Sequence, residues 1–414
     1  MDYDGLLDGC SEMGVCLLSA GAEIYRVEDT VNHILSAYGA SGEVFAIPNA
    51  LIVTVVDGEG RSHTRLRRAA AAGIDIDAIE GYNEVSRQVC DRLPPPGEIL
   101  AMARRAAAEV RSHSLPASLA GYFLGSFFFT LLFSGSWLAA CLGGAAGLAG
   151  GWCSLWLQRQ GVNFFLQTVA AAVVLGLTVY GLCALAPVPV NTDMAAVGAL
   201  MVLVPGMLLT NFMSELVRGD MVSGLSTMGR ALLTAGGIAV GMGCALALFQ
   251  GLGWPVESLS ETVSAPIAAQ CAMAVVACGG FCMMYNIHGW GTVLCCLGGG
   301  LSWLVSWGVG LYTDSPYVST LVAALVVAAY AEVMARIRKC PITAYRVVSF
   351  FPLVPGARIY YAMYHATQGN EQMFLREGLH AVGLAACLAM GALLANSAAR
   401  ACTRRRGERS REKL

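Results

Sequence analysis

The sequence predicts an α-helical polytopic membrane protein: about ten transmembrane helices in two inverted five-helix repeats, behind a small N-terminal α+β domain on the cytoplasmic side. Three observations carry this reading. The 414 residues are 56% hydrophobic and only 13% charged, against roughly 25% charged in soluble domains. Leu115–Leu157 and Thr262–Thr313 contain no Asp, Glu, Lys or Arg at all. Leu-Val-Pro-Gly occurs twice, at Leu203–Gly206 and Leu353–Gly356, each time inside a long apolar segment. The 26 basic and 28 acidic residues nearly cancel, so charge gives no support to a nucleic-acid partner.

Residues 1–114 read as the soluble domain. Leu6, Cys10, Met13, Leu17 and Ala20 recur at helical spacing, and the pattern predicts a helix over Leu6–Tyr38. Short β-branched runs follow at Val44–Ile47 and Leu51–Val56, with a hairpin-type turn at Asp57–Gly60 leading into Ser62–Leu66. Helices are expected over Asp75–Leu93 and, past three prolines, over Glu98–His113. Glu23 and Arg26 lie three apart, which suits an exposed ion pair on one helix face.

From Leu115 onward, apolar runs predict spans at about 116–134, 137–157, 163–185, 194–217, 230–251, 263–285, 290–310, 317–335, 343–365 and 374–397. The first repeat is assigned to residues 115–255 and the second to 256–400, with a basic tail at 401–414. Arg104, Arg105, Arg111, Arg159, Arg218, Arg230, Arg336, Arg338, Lys339 and the tail fall on one side of this scheme. The intervening loops lack Lys and Arg, which puts both termini in the cytoplasm. The repeat shows in the Leu-Val-Pro-Gly offset of 353 − 203 = 150 and in Cys141–Gly144 against Cys296–Gly299, offset 296 − 141 = 155. An odd number of spans per half turns the second copy upside down relative to the first.

The fifteen cysteines sit mostly in apolar stretches without a paired C-x-x-C motif, so they read as packing residues, with no metal or cofactor expected. No nucleophile–base constellation supports an enzyme.

The two Pro-Gly breaks are the strongest functional signal. Proline removes a helical hydrogen bond, and a freed carbonyl is tolerated in lipid only where protein or water meets it. A single break reads as a packing kink; a matched pair in two halves points to a transporter's binding site. Half-helices beginning at Gly206 and Gly356, behind Pro205 and Pro355, offer backbone N–H groups to a substrate carboxylate. Asn211, Arg358 and Tyr361 complete the expected substrate set, Arg358 having a structural pairing as its alternative. For proton coupling, Glu215 is the first candidate: burial penalises its charge, whereas a close Arg218 would hold it. Glu377 and His380, three apart on one face, form a second candidate pair. Glu332 with Arg336, and Asp220 beside Arg218, suit structural or gating roles, as does Arg230.

Several of these stretches are similar to the threonine/serine exporter family, over nearly the whole chain. Gly21-Ala22-Glu23 with Arg26-Val27-Glu28 resembles its N-terminal domain. Leu203–Gly206 with Gly219-Asp220, Ser223-Gly224 and Arg230 resembles the end of its first membrane half. Ala331-Glu332 and Pro352–Gly356 with Tyr360 resemble a second-half module that some relatives carry as a separate polypeptide. The resemblance implies a carrier of the bacterial cytoplasmic membrane that exports threonine and serine on the proton gradient. Two-chain relatives are implicated in exporting the dicarboxylate succinate, so dicarboxylate export stays open as an alternative. A channel or sensor gated by the N-terminal domain also stays open, and so does a homo-oligomeric state. This chain has Glu215 where Asp is more usual, and Asn286-Ile287-His288 where relatives tend to Asn, Val and Pro.

Overall fold

The computed structural model describes residues 2–69, 73–254, 265–338, 340 and 342–411. The expected boundary at 255/256, Lys339, Lys413 and the side chains of the basic tail from residue 402 lie outside the described residues.

The N-terminal domain runs α1 (Tyr3–Ser19), α2 (Ile24–Ala37), β1 (Ser41–Ile47), β2 (Ala50–Val56), β3 (Ser62–Arg68), α3 (Ile76–Arg92) and α4 (Pro96–Glu109). The single helix expected over Leu6–Tyr38 is therefore two. Gly21 adopts φ +80°, a left-handed conformation suited to glycine, and turns the chain between them. The three strands form an antiparallel meander in which Val44 faces Val53 and Val53 faces Arg65. Leu51, Val53 and Val55 of β2 point to one face at period two and are fully buried. They meet Leu6, Cys10 and Met13 of α1 and Val27, Val31 and Ile34 of α2 in one apolar core. Asp57 closes the hairpin by accepting from the amides of Glu59 and Arg61, each at 2.9 Å. Asp75 caps α3 by accepting from Ala78 N at 3.0 Å.

The membrane domain follows as α5 (Leu115–Ser134), α6 (Trp137–Arg159), α7 (Phe164–Ala184), α8 (Thr192–Leu200), α9 (Gly206–Arg218) and α10 (Met221–Gly251). The second half contains α11 (Ile267–Met284), α12 (Trp290–Gly310), α13 (Pro316–Arg338), α14 (Ile342–Ser349), α15 (Gly356–Thr367) and α16 (Glu371–Arg411). Among the described residues eight helices are long and apolar enough to cross a bilayer. The other two expected spans are the broken pairs α8–α9 and α14–α15. This is a polytopic membrane protein. The span expected at 230–251 starts earlier, at Met221, because Asp220 caps that end by accepting from Ser223 N and no breaker intervenes. Arg230 thus lies within α10 rather than at a loop edge. Likewise α16 continues past 397 to Arg411, beyond the apolar stretch that set the expected end.

The halves meet where α5 packs along α11. A Cβ on Gly280 would lie 2.6 Å from Gly125 N and 2.7 Å from Gly121 O, so the backbones touch through small residues. Trp137 and Trp290, each the first residue of its helix, are both exposed. Interfacial tryptophans favour such positions.

The N-terminal domain docks on one end of this bundle. Ile76 N donates to Tyr285 O at 3.0 Å, and Asn286 Nδ2 donates to Asp75 Oδ2 at 2.8 Å. Asn286, at φ +54°, also accepts from His113 N at 3.0 Å, and the His113 and His288 rings stack 4.0 Å apart.

Candidate functional site

Both breaks have the same local build. Pro205 has φ −78°, ψ 43° and Pro355 has φ −75°, ψ 48°. Each is the centre of an inverse γ-turn, with Gly206 N donating to Val204 O and Gly356 N to Val354 O, both at 2.8 Å. Helices α9 and α15 then begin at those glycines, as the sequence predicts. Their first-turn amides have no partner within the helix. Thr210 Oγ1 donates to Gly206 O at 3.0 Å and meets one polar group of the break from inside the helix.

The breaks touch. A Cβ on Gly206 would stand 2.1 Å from Val354 Cγ1, and one on Gly356 would stand 2.4 Å from Met201 Sδ. Each glycine therefore admits a side chain from the other broken segment. The segments also run in opposite senses. Helix α9 leads from its break to the N-domain face, where the Arg218 guanidinium lies 3.9 Å from the Tyr25 ring centre. Helix α14 leaves that same face, where Arg346 pairs with Glu23, and α15 carries the chain away from it.

On the N-domain side of the breaks, Glu215 is buried on α9 and accepts from Thr227 Oγ1 of α10 at 2.8 Å. Arg218, whose close approach was the alternative that would hold Glu215 ionised, lies over Tyr25. Asp220 caps α10, and Arg230 lies 5.8 Å from the Phe164 ring. Glu332 reaches Arg336 at 3.4 Å, the one-turn structural pair that its spacing suggests.

On the other side, Arg358 Nη1 donates to Glu377 Oε2 at 2.9 Å. Glu377 is thus taken by Arg358 and not by His380, whose Nδ1 lies 3.0 Å from Tyr317 Oη. Tyr361 is half-buried on α15, and Asn211 is half-buried on α9. The structure brings the two breaks together but spreads the carboxylates over both sides of them.

The N-terminal motif is not the solvated pair that the spacing of Glu23 and Arg26 suggests. Glu23 is buried, and its carboxylate accepts from the Arg346 guanidinium, 323 residues away, the two side chains each 7% exposed. Burial alone would raise the pKa of Glu23, but Arg346 and then Arg26 outweigh it and hold the carboxyl below its usual range. Glu28 Oε1 accepts from Ala46 N at 2.8 Å and ties α2 to the sheet. Sequence reasoning missed Arg346, Thr227 and Tyr25. An arginine inside an apolar segment is a detectable signal, and Arg346 stands in one.

Two family models cover most of the chain: "Putative threonine/serine exporter" over residues 8–249, and "Threonine/Serine exporter, ThrE" over residues 270–398. The chain belongs to the threonine/serine exporter family. A protein of Mycobacterium tuberculosis (strain ATCC 25618 / H37Rv) named "Probable threonine/serine exporter" is 24% identical over 410 residues, covering 94% of this chain and 75% of that protein. No solved structure matches. The two exporter models meet the chain on either side of residues 250–269, so each contains one of the broken segments described above.

Proposed function

We propose that this protein is a secondary transporter that exports small amino acids, threonine and serine foremost, across the bacterial cytoplasmic membrane, coupled to protons. The observation that carries the reading is the contact of two oppositely directed broken helices at Gly206 and Gly356. Paired half-helix N-termini supply a carboxylate site without a full positive charge in lipid. In this conformation Val354 and Met201 fill the space between the breaks, so substrate entry requires the segments to part.

Arg358 sits two residues into α15 and is held by Glu377. A proton on Glu377 would release the guanidinium to pair with substrate carboxylate, which links protonation to binding by competition for one cation. Glu215, on the opposite side of the breaks, is the second proton carrier, with Thr227 holding its carboxylate. Inverted halves exchange their states by rocking, which opens the site to each side in turn. The exporter family and the named relative support the substrate class.

The test is uptake into proteoliposomes with an imposed pH gradient, using threonine, serine and succinate. Saturable, gradient-driven threonine or serine flux is expected. Succinate flux alone would move the reading to dicarboxylates, and unitary currents would move it to a channel.

A further inference from the structure

The first turn of α2 carries two side chains that reach out of the N-terminal domain to both broken segments. Gly21 turns the chain ahead of it, and Glu23 then precedes the helix in extended backbone, at φ −63° and ψ 137°. Ile24 and Val27 of the same turn are buried in the core of the domain, so the turn is carried by a rigid body. From it the Glu23 carboxylate accepts from Arg346 of α14. The ring centre of Tyr25, two residues on, lies 3.9 Å from the Arg218 guanidinium of α9.

These partners stand at matched places. Arg218 ends the helix that leaves the Pro205 break, and Arg346 belongs to the helix that leads into the Pro355 break. The two helices rest on different neighbours, α9 on α10 and α16, and α14 on α12 and α13. One turn of α2 therefore bridges two groups of helices on the N-domain side. Between them the breaks are closed, with Val354 against Gly206 and Met201 against Gly356. The two contacts act in series, so losing either one frees the segments from each other. Glu23 and Arg346 form a buried ion pair, which is hard to open from one side. Tyr25 and Arg218 are both half-buried and make a cation–π contact, the weaker link.

We infer that the first turn of α2 is a latch on the N-domain side of the transporter. Glu23 and Tyr25 position α14 and α9 so that the two Pro-Gly breaks stay closed toward that side, and release of Arg218 from Tyr25 lets them part. What then enters rests on the transport reading above; the tie between the two broken segments rests on the contacts alone. Both are positioning residues, acting through Arg346 and Arg218.

Hydrogen exchange on the purified full-length protein tests the latch at a distance from the substituted side chain. The readout is the amides of Leu203, Val204 and Gly206 and of Leu353, Val354 and Gly356, all hydrogen-bonded in the closed breaks. Tyr25→Leu is expected to speed exchange there about fivefold, by loss of the cation–π contact. Tyr25→Phe keeps an aromatic face and should leave the rate near that of the unaltered protein. Arg218→Gln removes the same contact from the membrane side, should match Tyr25→Leu, and serves if that variant fails to fold. In oriented vesicles, half-saturation by L-serine offered on the N-domain side should fall about fivefold in Tyr25→Leu, and half-saturation from the other side should not fall. Faster exchange confined to α2 and the end of α9, or half-saturation altered equally on both sides, overturns the latch. Serine transport by a protein whose breaks are unaffected by both variants overturns it and leaves the transport reading standing. Faster exchange at both breaks in a protein that moves no amino acid upholds the latch and removes the transport reading.

Discussion

Replacing Glu23 by Gln removes the negative member of a buried pair and leaves Arg346 charged in a place that is 6% exposed. Among the described residues one buried guanidinium nitrogen of Arg346, Nη1, has no hydrogen-bond partner, so the loss adds to that deficit. Breaking a buried pair from one side costs about 3–5 kcal/mol, because an uncompensated charge remains. Arg346→Met should cost a similar amount, softened because Arg26 also lowers the cost of ionising Glu23. The double change Glu23→Leu with Arg346→Met leaves no charge behind and should recover most of the loss, since apolar replacement of a buried pair is often neutral. The assay is a double-mutant cycle on denaturant stability, with hydrogen exchange in α2 reporting whether the N-terminal domain still docks. Additive losses, or α2 protection unchanged in the single variants, would refute the account. The pH dependence has a definite sign. Since the carboxyl of folded Glu23 titrates below its unfolded value, its stabilisation is complete above about pH 4.3. It is lost as pH falls from there through the folded value. Domain undocking should therefore appear on the acid side and be absent from the apolar double variant.

Gly206→Ala should disable folding or transport, because a Cβ there meets the stiff Val354 Cγ1 at 2.1 Å, at an overpacking cost of about 1–3 kcal/mol. Gly356→Ala should be milder, since its obstacle is the flexible Met201 thioether, and Val354→Ala should rescue only the first; thermal stability and flux measured together decide. Glu215→Gln should still exchange substrate across the membrane but lose accumulation driven by a pH gradient, and full gradient-driven transport by the folded variant would leave proton coupling to Glu377 alone. Cysteines placed at Asp193 and Asn370 should react with an impermeant reagent from outside and one at Arg159 from inside; two reversed labels would invert the topology.

Elements whose cause is local were readable from the chain. The 3.6-residue spacing of Leu6, Cys10 and Met13 foretold a buried face, and all three are fully buried. The repeated Pro-Gly foretold two broken helices, because proline's missing N–H acts within one turn. What failed depended on distant partners. Glu23 has an arginine three residues on, yet its carboxylate meets one 323 residues away. Arg218, three residues from Glu215, chose the Tyr25 ring from another domain. Glu377 likewise found Arg358 on a neighbouring helix instead of His380 one turn away. Spacing identifies which side chains could meet along a helix, whereas docking decides which of them do.

The contacts that seat the N-terminal domain cross between the chain's two exporter modules: Asp75 to Asn286, His113 to Asn286 and Glu23 to Arg346. In a continuous chain these are intramolecular, so each contact forms at an effective concentration set by the tether, in the millimolar range for a short flexible linker. A charge-assisted hydrogen bond at Asp75, a neutral one at His113 and one ion pair at Glu23 each gain from that tether. Were the modules separate molecules, the same surface would need to overcome the loss of translational and rotational freedom, about 4–15 kcal/mol. Fusion thus adds these tethered polar contacts of the N-terminal domain to the α5–α11 packing that already joins the two halves.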